Sequence, residues 1–363
     1  MMTQILRRNN KFIGIILLPA LATCCLWTFS TTVSTEISVK NTFNGNKLGN
    51  ESIKQGEKIQ RIAYLKVPKT GSTTLACMFI RFGIRNNLSV FLSKKSSVSE
   101  SKQKLLLKQE KQFDIFATHT LYNYTFFTHI VRNPSIIGSV GEPGQMIISN
   151  AFLAYRYTTI NKDDGISSQK FIDEIVSNTS NYQLHNVMSR YFGISEVKNY
   201  RHMQKILATL NSEFSLVLVI ERFNESLILL KRLLNWSFAD ITYSTKMLYH
   251  HGKVFLNNFQ IDHLRTTNSL EYKIYEYFSN ELNRKIKKAI NNFWGEVRYF
   301  EHILNEIHSF CQNPSNNNNA YVFPPSRWGA GFSINLEECF MIFNIDDIRF
   351  KQQSKIFGID LIE

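Results

Sequence analysis

Residues 62–74 read IAYLKVPKTGSTT, and this stretch carries most of the information about the fold. Its apolar start, Ile62 to Leu65, predicts a short buried strand, and the apolar run that follows predicts a helix from about Leu75 to Ile84. A polar turn that contains Gly71 joins the two. Such a turn directs free backbone N–H groups and the positive end of the helix dipole to one point. The stretch therefore predicts an anion-binding turn at the carboxyl end of a strand.

The side chains of this turn also suit an anionic ligand. Gly71 permits close approach of the backbone, and Lys69 supplies a mobile positive charge on a flexible stem. The ATP-type loop G-x-x-x-x-G-K-[ST] is absent, because here the lysine precedes the glycine. The alternative interpretation is an ordinary strand–helix turn capped by Ser or Thr. The candidate ligand-binding residues are Lys66, Lys69, Thr70, Gly71, Ser72, Thr73 and Thr74.

Strands and helices alternate along the rest of the chain. Further strands are predicted at 113–116, 128–131 and 215–220, and helices at 227–234 and within 269–309. The charged stretch 93–112 is predicted to be a surface loop or surface helix. This alternation predicts an α/β fold with a central, mostly parallel sheet flanked by helices, and we assign residues 58–363 to it.

The composition is that of a globular protein with a strong positive charge. Of the 363 residues, 44% are hydrophobic and 20% are charged, which excludes wholesale disorder. Five cysteines are too few for a disulfide scaffold. With 42 basic and 29 acidic side chains the net charge is +13. Such a bias favours a polyanionic partner: nucleic acid, anionic lipid, a nucleotide or an acidic glycan.

The N-terminal segment predicts entry into the secretory pathway. Residues 12–35 contain no charged side chain, and basic residues precede them. Because basic residues hold their end of a spanning helix in the cytoplasm, we expect a type II signal anchor. Its parts are a cytoplasmic tail (1–11), a transmembrane helix (12–31) and a lumenal stem (32–57). The alternative is a signal peptide cleaved near Ala20–Ala22. Either interpretation makes a nucleic-acid partner unexpected.

Three cysteines lie beyond this segment. Cys77 falls in the apolar helix after the turn and is expected in the core. One disulfide is therefore expected, between Cys311 and Cys339.

Several stretches resemble one enzyme family. KVPKTGSTT after an apolar strand resembles the 5′-phosphosulfate loop of Golgi sulfotransferases that use 3′-phosphoadenosine 5′-phosphosulfate (PAPS). Residues 216–236 and 272–286 are similar to segments of the galactose 3-O-sulfotransferase family, which includes galactosylceramide sulfotransferase, and Cys311 falls where that family has a cysteine. The resemblance implies a P-loop-like nucleotide-binding fold, PAPS as donor, 3′,5′-ADP as product, no metal, and a Golgi membrane location with a lumenal catalytic domain.

The resemblance also implies a second half of the donor site. Sulfotransferases bind the 3′-phosphate with an Arg at the end of a later strand and a Ser eight positions on. The segment HIVRNP offers Arg132, and Ser149 becomes its partner if the stretch around 135–148 is an insertion. That stretch holds three Gly and a Pro near its middle, which predicts an inserted loop. A wrongly assigned exon in the gene is the equal alternative. Ser139 is the competing candidate.

A histidine follows the predicted strand 113–116, at the edge where open α/β sheets bind ligands. The resemblance places a catalytic His here, so His119 is expected to accept the proton of the attacking sugar hydroxyl. The alternative is a hydrogen-bonded structural histidine. Glu221 is a second possible base, although an outward-facing or Arg-paired carboxylate is the simpler interpretation. His129 lies within the predicted strand 128–131 and is expected in the core.

The leading functional hypothesis is transfer of a sulfuryl group from PAPS to a hydroxyl, the 3-OH, of a terminal β-galactoside on a glycolipid or glycoprotein. Lys69 would stabilise the bridging oxygen as the nucleotide leaves. The alternatives are a uronyl or hexosaminyl O-sulfotransferase acting on glycosaminoglycan, and a catalytically inactive relative that binds glycan or nucleotide. A homodimer is left open.

Overall fold

In the computed structural model the described residues are 56–93, 97–159, 173, 176, 185–194, 196–244, 256–312 and 320–344. The predicted tail, anchor and nearly all of the stem fall within residues 1–55, outside the described residues, so the anchor stays a prediction. Among the residues that are described, no helix has the length and apolar character needed to cross a bilayer.

Five parallel strands form the central sheet. In spatial order they are β2 (Val90–Phe91), β4 (Ile115–Phe116), β1 (Ile62–Tyr64), β6 (Ser135–Val140) and β7 (Leu216–Val219). Because all four pairings are parallel, the strands end at one side of the sheet, which we call the carboxyl edge; they begin at the amino edge. The expectation of an α/β fold with a central parallel sheet flanked by helices is confirmed.

Besides the sheet, the described part of the chain contains two small strand pairings, a 3₁₀ helix (Ile220–Arg222) and twelve α-helices with defined bounds. The strand β3 (Ser97–Val98) pairs with β5 (His119–Thr120), and β8 (Ala320–Phe323) pairs with β9 (Phe332–Asn335). The helices are α1 (Ser72–Arg85), α2 (Glu100–Leu106), α3 (Tyr124–Ile130), α4 (Pro143–Thr159), α5 (Val187–Tyr191), α6 (Tyr200–Glu213), α7 (Phe223–Leu234), α8 (Phe238–Ile241), α9 (Asn258–Thr267), α10 (Ser269–Lys288), α11 (Phe293–Gln312) and α12 (Leu336–Asn344).

The core forms where amphipathic helices cover the sheet. On α1 the side chains of Leu75, Phe79 and Phe82 share one face and are fully buried, as the three- and four-residue spacing requires. Helices α7 and α10 both lie against β7. Burying one such side chain contributes about 1.5–3 kcal/mol, so these faces fix the sheet and its edges in place.

Most of the expected elements are confirmed. The helix predicted after the turn is α1, the predicted strand 215–220 contains β7, and 227–234 lies within α7. The charged stretch contains the surface helix α2. The Cys311–Cys339 disulfide forms, and Cys77 is buried on α1.

The strand predicted at 128–131 is wrong, because most of these residues belong to α3. The side chain of Asn123 accepts a hydrogen bond from the Phe126 N–H at 3.0 Å and so caps the helix. His129 lies on this helix, half-buried, and its Nε2 is 2.8 Å from the Gln109 carbonyl oxygen. The expectation that His129 belongs to the core is therefore wrong as well.

The prediction of an inserted loop around 135–148 is also wrong. Residues Ser135–Val140 form β6, a central strand between β1 and β7. Gly138, which favoured a loop in the sequence, serves packing instead: a Cβ there would lie 2.9 Å from Cε1 of Phe214. This stretch thus supplies an interior strand of the sheet.

Candidate active site

The turn after β1 has the backbone of an anion-binding nest. Lys69 and Gly71 have φ angles of 65° and 64°, while Thr70 between them keeps a negative φ. This alternation turns successive N–H groups toward one concavity, which suits an anion. Glycine is required at 71, since a Cβ there would lie 2.3 Å from Cδ1 of Ile220 and would sit in the left-handed region.

The same turn opens α1 without a side-chain cap. Gly71 is the N-cap residue, no side chain bonds the first N–H groups from that position, and the first turn holds no acidic residue. The interpretation of an ordinary turn capped by Ser or Thr is therefore wrong. The first backbone N–H groups and the positive helix end remain for an anion.

A chain of buried hydroxyls holds the turn against the sheet. Oγ1 of Thr70 donates to the Val67 carbonyl oxygen at 2.9 Å and lies 2.6 Å from Oγ of Ser139. The hydroxyl of Tyr64 lies 2.8 Å from the same Ser139 oxygen. Burial raises the pKa of Tyr64, so its proton stays in this network. Ser139, the competing phosphate ligand, thus supports the turn from β6.

The predicted ligands differ in access. Lys69 is half-buried beside the nest, and this burial lowers the pKa of its ammonium group. Thr73 is exposed and Thr74 half-buried, whereas Ser72 is only 5% exposed. Lys66 is 1% exposed, so its side chain is buried and not accessible to a ligand.

His119 lies at the same edge as the turn and is linked to it. Its Nδ1 is 2.7 Å from the carbonyl oxygen of Lys66, three residues before Lys69. Since a carbonyl oxygen only accepts, Nδ1 carries the proton of the neutral ring and Nε2 is its basic nitrogen. The ring meets that of Tyr191 edge to face, with centroids 6.0 Å apart. The structure thus brings His119 and the turn together.

Arg132 is not brought to the turn. It is exposed, three residues before β6, and lines a shallow amino-edge pocket with Arg61 and Asp114. Lys69 follows β1 at the opposite edge, and the six residues of β6 span roughly 20 Å at about 3.3 Å per residue. The predicted binding of one phosphate by Arg132 and Ser149 is contradicted, since Ser149 lies on α4, beyond the carboxyl edge.

The expected spacing points to another residue. Eight positions before Ser149 stands Gly141, the first residue after β6. The sequence repeats a Val-x-x-Pro pattern at 131–134 and 140–143, and only the second copy ends a central strand. The position where the resemblance expects an Arg therefore holds glycine. A Cβ at Gly141 would lie 2.9 Å from Cγ2 of Ile220, the side chain that also adjoins Gly71.

Two carboxylates occupy this part of the carboxyl edge. The N–H of Glu142 donates to Oε1 of Glu221 at 2.7 Å, and Oε2 of Glu142 accepts from the Gln145 N–H at 2.7 Å. Glu221 follows β7 and is exposed. Burial, followed by the negative charge of Glu142, raises the pKa of Tyr272; burial, followed by the negative charge of Glu221, raises that of Tyr275 to about 12. Glu221 is outward-facing, as expected.

Glu142 is the residue that sequence reasoning missed. It stands immediately before Pro143, the first residue of α4, and its side chain bonds the N–H of the third. An acidic residue before a proline is a common start signal for a helix. The same segment contains Gly138, Gly141 and Gly144, which favour a loop and so mask the helix start.

Fold and site together define a class: a parallel α/β protein whose carboxyl edge carries a phosphate-type nest, a lysine and a histidine. The family model of galactose-3-O-sulfotransferase matches residues 2–322. The chain therefore belongs to the galactose-3-O-sulfotransferase family, which confirms the resemblance seen in the sequence.

Relatives from mammals agree with this assignment. Galactose-3-O-sulfotransferase 2 of Sus scrofa is 23% identical over 278 residues, covering 71% of this chain and 70% of the relative. The Homo sapiens protein of the same name is 23% identical over 275 residues, covering 71% and 69%. The Mus musculus protein is 22% identical over 301 residues and covers 73% of each chain.

Proposed function

We propose that the protein transfers a sulfuryl group from PAPS to the 3-OH of a terminal β-galactoside carried by a glycolipid or glycoprotein. One observation carries the proposal: His119 bonds the Lys66 carbonyl and so stands beside the nest that contains Lys69 and Gly71. A base and an anion cradle at one edge are what attack of a hydroxyl on a bound phosphosulfate requires.

The residues would divide the work as follows. Backbone N–H groups at Gly71 and Ser72, with the Thr73 and Thr74 hydroxyls, would hold the 5′-phosphosulfate. Nε2 of His119 would take the proton of the sugar hydroxyl as its oxygen attacks sulfur. The Lys69 ammonium would stabilise the negative charge that grows on the oxygen between phosphorus and sulfur as that bond breaks. The donor supplies the activated sulfuryl group.

The residues present fit one end of PAPS and not the other. The nest, the uncapped helix and Lys69 suit the 5′-phosphosulfate. At the neighbouring strand end, Gly141 and the carboxylates of Glu142 and Glu221 offer a 3′-phosphate no cation. No step of the proposed mechanism uses that phosphate.

The location is part of the proposal. The charge-free run at 12–35 after basic residues supports a type II anchor, which would place the described domain in the Golgi lumen, where glycan and glycolipid acceptors are found. Protease protection of the full chain in sealed microsomes tests this: cleavage in intact vesicles would contradict the lumenal placement.

The activity is tested by transfer from labelled PAPS to galactosylceramide, lactose, N-acetyllactosamine and chondroitin. We expect sulfate on the galactosides, at the 3-position by analysis of the product. Transfer to chondroitin alone would favour the glycosaminoglycan alternative. Binding of 3′,5′-ADP or 5′-AMP without transfer to any acceptor would favour an inactive nucleotide-binding relative.

A further inference from the structure

We propose that the nucleotide site of this protein accepts a ribose 3′-hydroxyl at Glu142 and Glu221. A nucleoside 5′-phosphate would then bind at least as tightly as its 3′-phosphorylated counterpart. The inference rests on the proposed function, because it assumes that the nest holds the 5′-phosphate. The nucleotide that this site would favour differs from the family's donor at the 3′-position, where it carries a hydroxyl in place of a phosphate.

The two carboxylates belong to the same site as the nest. The strand β6 lies directly between β1, which leads into the nest, and β7, which leads into Glu221. Ile220 joins the two regions, since its side chain adjoins both Gly71 and Gly141. The Ser139–Thr70 hydrogen bond connects them a second time, from β6 to the turn. A nucleotide whose 5′-phosphate enters the nest therefore lays its ribose across these strand ends.

The carboxylates retain capacity to accept further hydrogen bonds. Each ionised carboxylate offers about four acceptor positions. Glu142 uses one for the Gln145 N–H, and Glu221 uses one for the Glu142 N–H. Glu221 is exposed and Glu142 half-buried, which leaves both within reach of a ligand.

The charges that follow β6 and β7 favour a ribose hydroxyl over a ribose phosphate. In dinucleotide sites a carboxylate at a strand end selects a ribose hydroxyl, and an arginine selects a ribose phosphate. Here the strand end has Gly141 and two carboxylates. The neighbouring cation Arg222 is already bonded to Glu225 and Asn283. Arg265 lies over the ring of Tyr272, with its guanidinium carbon 5.9 Å from the ring centroid, and is exposed.

The test compares the dissociation constants of 5′-AMP and 3′,5′-ADP by calorimetry, on the full chain. For the wild-type protein we expect 5′-AMP to bind with equal or greater affinity. Glu142→Gln and Glu221→Gln each remove one negative charge and should move the ratio toward 3′,5′-ADP by about fivefold or more, since fivefold is the effect of unit charges about 4 Å apart in bulk water. Glu276→Gln, on an exposed position of α10, removes the same charge elsewhere and should leave the ratio unchanged.

The outcomes separate this inference from the proposed function. A tenfold or greater preference of the wild type for 3′,5′-ADP, with both glutamine variants unchanged, would overturn the inference and leave the sulfotransferase proposal standing. If Arg265→Ala abolished that preference, the phosphate ligand would be Arg265. Failure of both nucleotides to bind would overturn the inference together with the nest as a nucleotide site.

Discussion

The ends of β1 and β6 lie side by side in the sheet, yet they carry opposite chemistry. After β1 come Lys69, an uncapped helix start and hydroxyls; after β6 come Gly141 and Glu142, and the next helix is capped by a carboxylate. A nest and a helix dipole attract anions in the first case, and a carboxylate already satisfies the dipole in the second. Neighbouring strand ends in one fold can therefore recognise an anion and a hydroxyl.

The largest effect is expected from removing the cation of the β1 end. Lys69→Ala should lower the transfer rate about a thousandfold, the upper range for losing one charge-stabilising group at a reacting centre. The initial rate with labelled PAPS and lactose measures this. Lys108→Ala, an exposed lysine beyond α2, is the matched control and should keep the wild-type rate. Near-normal activity of Lys69→Ala would remove this residue from the mechanism.

His119→Asn should cost about a hundredfold in kcat, at the lower end for loss of a general base. The Asn amide can still donate to the Lys66 carbonyl, so the turn keeps its support while the basic nitrogen is lost. The expected signature is a lower kcat with unchanged nucleotide affinity. If kcat stayed near the wild-type value in the variant, His119 would be structural and another group would be the base.

The two glycines beside Ile220 allow the strand ends to be compared directly. Gly71→Ala forces a side chain into the left-handed region and against Ile220, and should lower the free energy of unfolding by about 1–3 kcal/mol and weaken nucleotide binding. Gly141→Ala meets Ile220 without a positive φ, so we expect about 1 kcal/mol or less from a modest packing shift. Urea denaturation of the two variants provides the comparison, and an equal cost for both would show that backbone strain at 71 is unimportant.

The smallest effect is a shift with pH. Burial lowers the pKa of Lys69 from its ordinary value of 10.5, so its charge is lost at a lower pH than that of an exposed lysine. Nucleotide affinity should be full below that pKa and fall as pH rises through it. Lys69→Arg keeps its charge and should remove the decline. A decline of equal size in the Arg variant would assign the titration to another group.

The sequence predicted the β1 end well and the β6 end poorly, for a physical reason. Strand, turn and helix are contiguous in residues 62–85, so local apolar patterns and one glycine define them. The β6 end depends on which of two similar Val-x-x-Pro segments enters the sheet, and that is decided by distant packing. By local pattern Gly138 favours a loop. The packing of Phe214 against it explains why a glycine lies within this strand.

The same limit applies to α3 and to the site. Residues 128–131 include the β-branched Thr128, Ile130 and Val131, which favour a strand, whereas the cap at Asn123 is a local signal for the helix. The place of His119 after a strand predicts its position at the carboxyl edge, whereas the roles of Ser139 and Thr70 as supports follow from their burial and from their mutual hydrogen bond. The hydroxyl chain to Tyr64 joins residues 75 positions apart, which no local pattern reveals.

The most direct test of the central claim is a crystal structure of the protein with 5′-AMP bound. The account predicts the phosphate within hydrogen-bond distance of the backbone N–H groups of Gly71 and Ser72, next to Lys69, with the ribose against Glu142 and Glu221. A nucleotide bound at the amino edge beside Arg132 would contradict it.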